Sequence, residues 1–191
     1  SLEPYVNDPS TPTSKKGSSN CCPGVQVIGV HNSGGLRQGT FTVPARKLHP
    51  GNDLSYDQLA LVETLAIGYH AVQRGNPQPR ETVLVIGAGP IGLACLEFLK
   101  LMKGVNVVVM DMVQGRLDFC AQNLGINNGI QFKPDGSHLT ELEALTNGNM
   151  ADVIIDATGS PRSMSTCFDY AAFTGRVVYV GITTSDLQFP H

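Results

Sequence analysis

From Val83 onward the chain alternates short β-branched runs with stretches whose apolar residues recur at helical spacing, and Gly, Pro or Asn stands at the junctions. The apolar runs predict strands at Val83–Ile86, Val105–Met110, Ile130–Phe132, Asp152–Ala157 and Arg176–Val180. Between them the spacing predicts helices at about Pro90–Lys103, Val113–Leu124, Ser137–Thr146 and Pro161–Phe173. Gly104, Gly125, Gly148 and Gly175 follow those helices, where a left-handed residue closes the last turn. Ser160 before Pro161 supplies an N-cap with proline at the first helical position. Strand and helix in strict alternation argue for a parallel sheet with right-handed crossovers and helices on both faces.

Upstream the pattern is less regular. Residues 8–20 are almost wholly polar and rich in turn formers, which predicts a loop or arm. Val25 to Val43 mixes β-branched residues with Gly29, Gly34, Gly35 and Gly39 and reads as short strands and tight turns. Ser55-Tyr56-Asp57-Gln58 fits a capping box, and Leu59, Val62, Ala66, Tyr69 and Val72 carry a helical stretch of about two dozen residues, continuous or broken once, to Gly75.

Composition narrows the class. The 191 residues are 41% hydrophobic and 15% charged, ordinary for a globular chain, and their net charge of −3 argues against a nucleic-acid partner. The most apolar stretch, Thr82 to Leu96, is interrupted by three glycines and Pro90, so no membrane span is expected. The start of the chain shows no basic segment followed by an apolar one, and no secretory signal is expected. Five cysteines, an odd and scattered set, point to a reducing cytoplasm. Cys95, Cys120 and Cys167 lie in apolar helical patterns and are expected to be buried as small hydrophobes.

Gly87-Ala88-Gly89-Pro90-Ile91-Gly92 is a G-x-G-x-x-G that follows a strand and opens a helix. Gly87 permits the tight turn, Gly89 lets a pyrophosphate approach the backbone, and Gly92 lets helix and strand pack closely. Asp111 ends the next strand, 19 residues past Gly92, where an acid binds the adenosine ribose hydroxyls. A 2′-phosphate would meet like charge there, which favours NAD over NADP. Arg116 is placed beside the adenine, and Thr158, Gly159, Val180 and Gly181 close later strands on the same crevice. The fold class that follows is a doubly wound, parallel-sheet α/β domain of Rossmann type.

These segments, together with Val27-Ile28-Gly29-Val30-His31, Gly34-Gly35, Leu61-Val62-Glu63 and Ala66-Ile67-Gly68-Tyr69-His70-Ala71-Val72, resemble the medium-chain, zinc-type alcohol and polyol dehydrogenases. The likeness is to their sorbitol, threonine and sugar-acid branch. The resemblance implies residues 1–52 as the remnant of a GroES-like, β-rich catalytic domain, 53–80 as a connecting helical segment, and 81–191 as the NAD-binding domain lacking its last strand. It also implies an excised portion of a longer enzyme, because the family's Gly-His-Glu segment and early zinc-binding cysteine are not found. Glu63 matches the family glutamate at or beside the catalytic zinc, and His70 on the same helix is a candidate for a proton relay.

The family's structural zinc uses Cys-x2-Cys-x2-Cys-x7-Cys. With Cys22 as its last ligand, the other three positions hold Asp8, Thr11 and Ser14, which cannot close such a site. The implied function is transfer of hydride from a secondary alcohol of a polyol, sugar acid or amino alcohol to NAD, by a homo-oligomer, dimer or tetramer. A non-catalytic NAD(H)-sensing module and a zinc-free reductase of the same superfamily are the alternatives.

Overall fold

Every residue of Thr82-Val83-Leu84-Val85-Ile86 is buried, as a strand covered on both faces by helices requires. This strand, β3 (Thr82–Ile86), lies at the centre of a parallel sheet with β4 (Asn106–Asp111), β5 (Gly129–Gln131), β6 (Ala151–Asp156) and β7 (Ala171–Tyr179). The spatial order is β5-β4-β3-β6-β7, so the direction of strand progression reverses between β3 and β6. The two smaller strands of the chain are β1 (Tyr5–Val6) and β2 (Gln26–Val27). The computed structural model describes residues 1–31 and 42–189, and the turns expected around Gly34, Gly35 and Gly39 lie outside them. The chain divides into two compact units, Ser1–Val62 and Glu63–His191.

In the second unit, period-two alternation sends neighbouring strand residues to opposite faces. Val83, Val85, Val109, Val153 and Ile155 meet α2 (Tyr56–Gly75), α3 (Pro90–Leu99) and α4 (Gln114–Phe119). Leu84, Ile86, Val108, Met110 and Ile154 meet α5 (Ser137–Leu145) and the segment that begins with α6 (Pro161–Thr166). The doubly wound arrangement read from the sequence is therefore the one formed.

Helix α2 starts with the expected reciprocal cap: Ser55 N–H donates to Gln58 Oε1 at 2.9 Å and Gln58 N–H donates to Ser55 Oγ at 3.2 Å. It runs 20 residues without a break and buries Gly68, Ala71, Val72 and Gly75. A Cβ on Gly68 would sit 2.5 Å from the Ala94 carbonyl carbon, so this glycine lets the backbones of α2 and α3 touch.

Several boundaries differ from expectation. Helix α3 stops at Leu99 instead of Lys103, and α4 passes into a π-helical turn at Cys120–Leu124 before Gly125 closes it with φ +70°. The helix expected to reach Phe173 ends at Thr166 and tightens into a 3₁₀ turn at Cys167–Tyr170. That turn eclipses residues three apart, so Cys167 and Tyr170 both enter the core. Strand β7 then begins at Ala171 and bulges: Ala171 pairs with Ala151, but Arg176 pairs with Val153. Thr174, not Gly175, takes the left-handed conformation in the bulge, with φ 68°, so Gly175 closes no helix.

The first unit is built from the antiparallel pair β1 and β2 and a bridge between Leu2 and Leu48. The polar run 8–20 is not loop throughout. Thr11 caps a short helix, α1 (Pro12–Lys15), with proline at its start, and a 3₁₀ turn follows at Ser19–Cys21. Lys47 is buried here and pairs with Glu3 while donating to Asn7 Oδ1 at 3.1 Å.

Candidate functional site

The turn from β3 into α3 carries the glycine motif. Gly87 has φ +95° and donates its N–H to Met110 O at 2.8 Å, tying the turn to β4. A Cβ on Gly92 would fall 1.7 Å from Gly87 O, so only glycine lets the helix begin this close to the strand. At Gly89 a Cβ would meet nothing within 4 Å. No side chain caps the start of α3, whose Pro90 is exposed and Ile91 half-buried. The open space at Gly89 and the uncapped amides of the helix start fit a phosphate group.

Asp111 ends β4 nearly buried, at 7% exposure. Its Oδ2 accepts from the N–H of Ala88, inside the glycine turn, at 2.7 Å, and its Oδ1 accepts from Val113 N–H at 2.8 Å. The carboxylate is thereby fixed to the glycine turn, and Oδ1 keeps a second lone pair that could accept from a hydroxyl. Arg116, half-exposed, turns its guanidinium towards Asp111, with Nη1 at 3.4 Å from Oδ2, and so forms a loose ion pair with the acid it follows.

Across the reversal point, β6 ends in Asp156, which is fully buried. Its Oδ1 accepts from the N–H and hydroxyl of Thr158 at 2.9 and 2.7 Å, and its Oδ2 accepts from Ser163 Oγ at 2.5 Å. The thiol of Cys167 lies 3.7 Å from Oδ2. Burial and then the Asp156 charge push that thiol well above the ordinary range, and burial alone pushes the Cys95 thiol up to about 11. The expected burial of Cys95, Cys120 and Cys167 is found, but Cys167 is also a weak donor in a polar network.

The Asp156 carbonyl accepts from the N–H groups of Val180 and Gly181 at 2.9 and 3.1 Å. A Cβ on Gly181 would come 2.1 Å from Gly159 N, so the ends of β6 and β7 touch backbone to backbone. A Cβ on Gly87 would come 3.1 Å from Thr158 Cγ2, which sets these loops beside the glycine turn. The structure thus gathers Gly87, Gly89, Pro90, Ile91, Gly92, Asp111, Arg116, Thr158, Gly159, Val180 and Gly181 at the carboxyl ends of the strands. The hydroxyl and the N–H of Thr158 are both turned inward to Asp156.

The sequence pattern did not single out Ala88, Asp156 or Ser163. A signal for Asp156 existed: like Asp111, it ends an apolar strand, and β3 pairs with the ends of both strands at Ile86. A cavity of about 650 Å³ lies at the other end of the sheet, near Thr82, Asn106 and Asp152. It opens at the amino ends of the strands, the wrong side for a dinucleotide.

Glu63 and His70 are both exposed on α2. Among the described residues no three His, Cys, Asp or Glu side chains come together to hold a metal. The side chains present therefore do not fit a catalytic zinc by themselves.

In the first unit, the four positions aligned with the structural-zinc ligands do converge. Thr11 Oγ1 lies 2.9 Å from Ser14 Oγ and 3.4 Å from Cys22 Sγ, with one proton to share between them, and Cys22 Sγ lies 3.8 Å from the main-chain carbonyl of Asp8. The Thr11 hydrogen bond lowers the Cys22 thiol pKa, against a smaller opposing effect of burial. Hydrogen bonds occupy the place where four thiolates would be needed.

A family profile described as zinc-binding dehydrogenase matches residues 90–191. The L-galactonate-5-dehydrogenase of Escherichia coli K12 is 36% identical over 97% of this chain and 54% of its own length. The (R,R)-butanediol dehydrogenase of Neisseria gonorrhoeae is 30% identical over 95% of this chain and 51% of its own. An alcohol dehydrogenase from E. coli CFT073, solved with its cofactor NADH, superposes with a TM-score of 0.83 at 27% identity, over 99% of this chain and 55% of that one. The chain spans about half the length of the curated relatives it matches.

Proposed function

The chain belongs to the zinc-binding dehydrogenase family, and on that premise we propose that it is the cofactor-holding part of an enzyme that transfers hydride from a secondary alcohol to NAD. One observation carries the reading: the Asp111 carboxylate is hydrogen-bonded to Ala88 inside a glycine turn whose Gly89 faces open space. The start of α3 would hold the pyrophosphate, and Asp111 Oδ1 would accept from the adenosine ribose, which selects NAD over its 2′-phosphorylated form. When bound, the dinucleotide supplies the hydride acceptor at C4 of its nicotinamide. Gly159 and Gly181, pressed together, would give the backbone wall against which the second half of the cofactor is oriented.

The relatives' names support a polyol, a sugar acid or another secondary alcohol as substrate. Zinc belongs in this proposal to the whole enzyme, with Glu63 as a ligand or neighbour and the other ligands outside this chain. Residues 1–52 would be the remnant of a GroES-like domain, 53–80 the connecting segment and 81–191 the NAD-binding domain. A homo-oligomer, dimer or tetramer, is proposed, as is the cytoplasm, in keeping with five free cysteines of which four are buried. Among the described residues no helix is long and apolar enough to cross a membrane.

Calorimetric titration of the 191-residue chain tests the reading. It should bind NAD(H) more tightly than NADP(H) and give no alcohol-dependent NAD reduction by itself. Preference for NADP, or no binding of either dinucleotide, would refute the proposal for the site, and turnover by the isolated chain would refute the assignment of missing zinc ligands.

A further inference from the structure

Asp156 stands out among the buried groups because its charge has no cationic partner. It is 0% exposed, yet every group that bonds its carboxylate is neutral: the Thr158 amide and hydroxyl, the Ser163 hydroxyl and the Cys167 thiol. Among the described residues it forms no ion pair, whereas the corresponding acid at the end of β4, Asp111, has Arg116. The Thr158 amide can only donate, and the hydroxyls of Thr158 and Ser163 are placed to donate as well, so both oxygens are supplied with the hydrogen bonds a carboxylate accepts. A charge buried in this way is screened far less by water and salt than one at the surface.

Its place in the fold gives that charge a target. A dinucleotide lies across the point where strand order reverses, one half over each set of strands. With the adenosine half at Asp111 and β4, the nicotinamide half lies over the carboxyl ends of β6 and β7, and Asp156 is the last residue of β6. The nicotinamide ring carries a positive charge when oxidised and none when reduced.

We propose that Asp156 is a specificity-determining residue for redox state, and that its unpaired buried charge favours the oxidised over the reduced dinucleotide in this crevice. The inference rests on the cofactor reading above. A bias of about tenfold is expected, equal to about 1.4 kcal/mol.

Asp156 also holds the Thr158–Gly159 turn, and a purely architectural role would change the affinity for both redox forms equally. The test therefore measures dissociation constants of the 191-residue chain for NAD⁺, NADH and ADP-ribose, which lacks the ring. In Asp156→Asn the ratio of NAD⁺ to NADH affinity should fall about tenfold, with ADP-ribose affinity within about twofold of wild type. Ser163→Lys, which sets an ammonium beside the carboxylate from a half-buried position, should move the ratio the same way and serves if the first variant does not fold. Equal weakening of all three ligands, or an unmoved ratio, would overturn the proposal. A wild-type chain that binds none of the three would overturn the cofactor reading itself.

Discussion

Replacing Asp111 by asparagine tests how the site is built before any ligand arrives. Both carboxylate oxygens accept from buried or half-buried backbone amides, Ala88 N–H at 2.7 Å and Val113 N–H at 2.8 Å. Asparagine offers one acceptor oxygen and one NH₂ group, so in either amide orientation one of the two amides faces another donor. Leaving a buried donor unmatched costs about 1–3 kcal/mol. For a chain of this size that corresponds to a fall in melting temperature of about 2–4 °C per kcal/mol. Asp111→Asn should therefore melt several degrees below wild type without cofactor, as read by circular dichroism, in addition to losing the ribose contact. NAD affinity should drop by about 1–3 kcal/mol, the usual scale for a hydrogen bond to a charged group. A variant that melts within a degree of wild type in the cofactor-free state would show that the Asp111–Ala88 link does not organise the turn.

Two other outcomes are expected. The lobe containing Asp8, Thr11, Ser14 and Cys22 should carry no metal, and elemental analysis finding one zinc per chain that disappears in Cys22→Ser would contradict this. Glu81 accepts a two-pronged contact from Arg176, whose guanidinium also binds the carbonyls of Gly75 and Asn76 at the end of α2. The Arg176 hydrogen bond holds the Glu81 carboxyl below its ordinary value. Its stabilisation is thus complete above the unfolded pKa of about 4.3 and is lost as pH falls through the lower folded value. Glu81→Gln should be less stable than wild type at neutral pH and lose less on acidification through that window; parallel denaturation midpoints from pH 6 to 3 would refute the pairing.

The nucleotide-binding half was legible because its signals are local. Short apolar runs, the glycine motif and the acid 19 residues beyond it predicted the parallel strands and the phosphate turn, since each depends on neighbours in sequence. Glycine at position 92 could be assigned its packing role from the motif, and the 1.7 Å that would separate a Cβ there from Gly87 O supplies the physical reason. Local signals failed where distant contacts decide. Nothing near Phe173 in the chain announces that Cys167 and Tyr170 must share one core face, so the helix was expected to run on through the 3₁₀ turn and into β7.

The site divides in the same way. Residue types and spacing pointed to a dinucleotide cradle and named Gly87, Gly89, Gly92 and Asp111 as its parts, which is the reading proposed above. Only the tertiary structure decided that Asp111 is bonded to the cradle itself, that Asp8, Thr11, Ser14 and Cys22 meet through hydrogen bonds, and that Asp156 is buried among neutral donors. Each of these depends on groups brought together by packing. A buried carboxylate's partners, unlike a turn's glycine, are chosen by the fold and leave no fixed spacing along the chain.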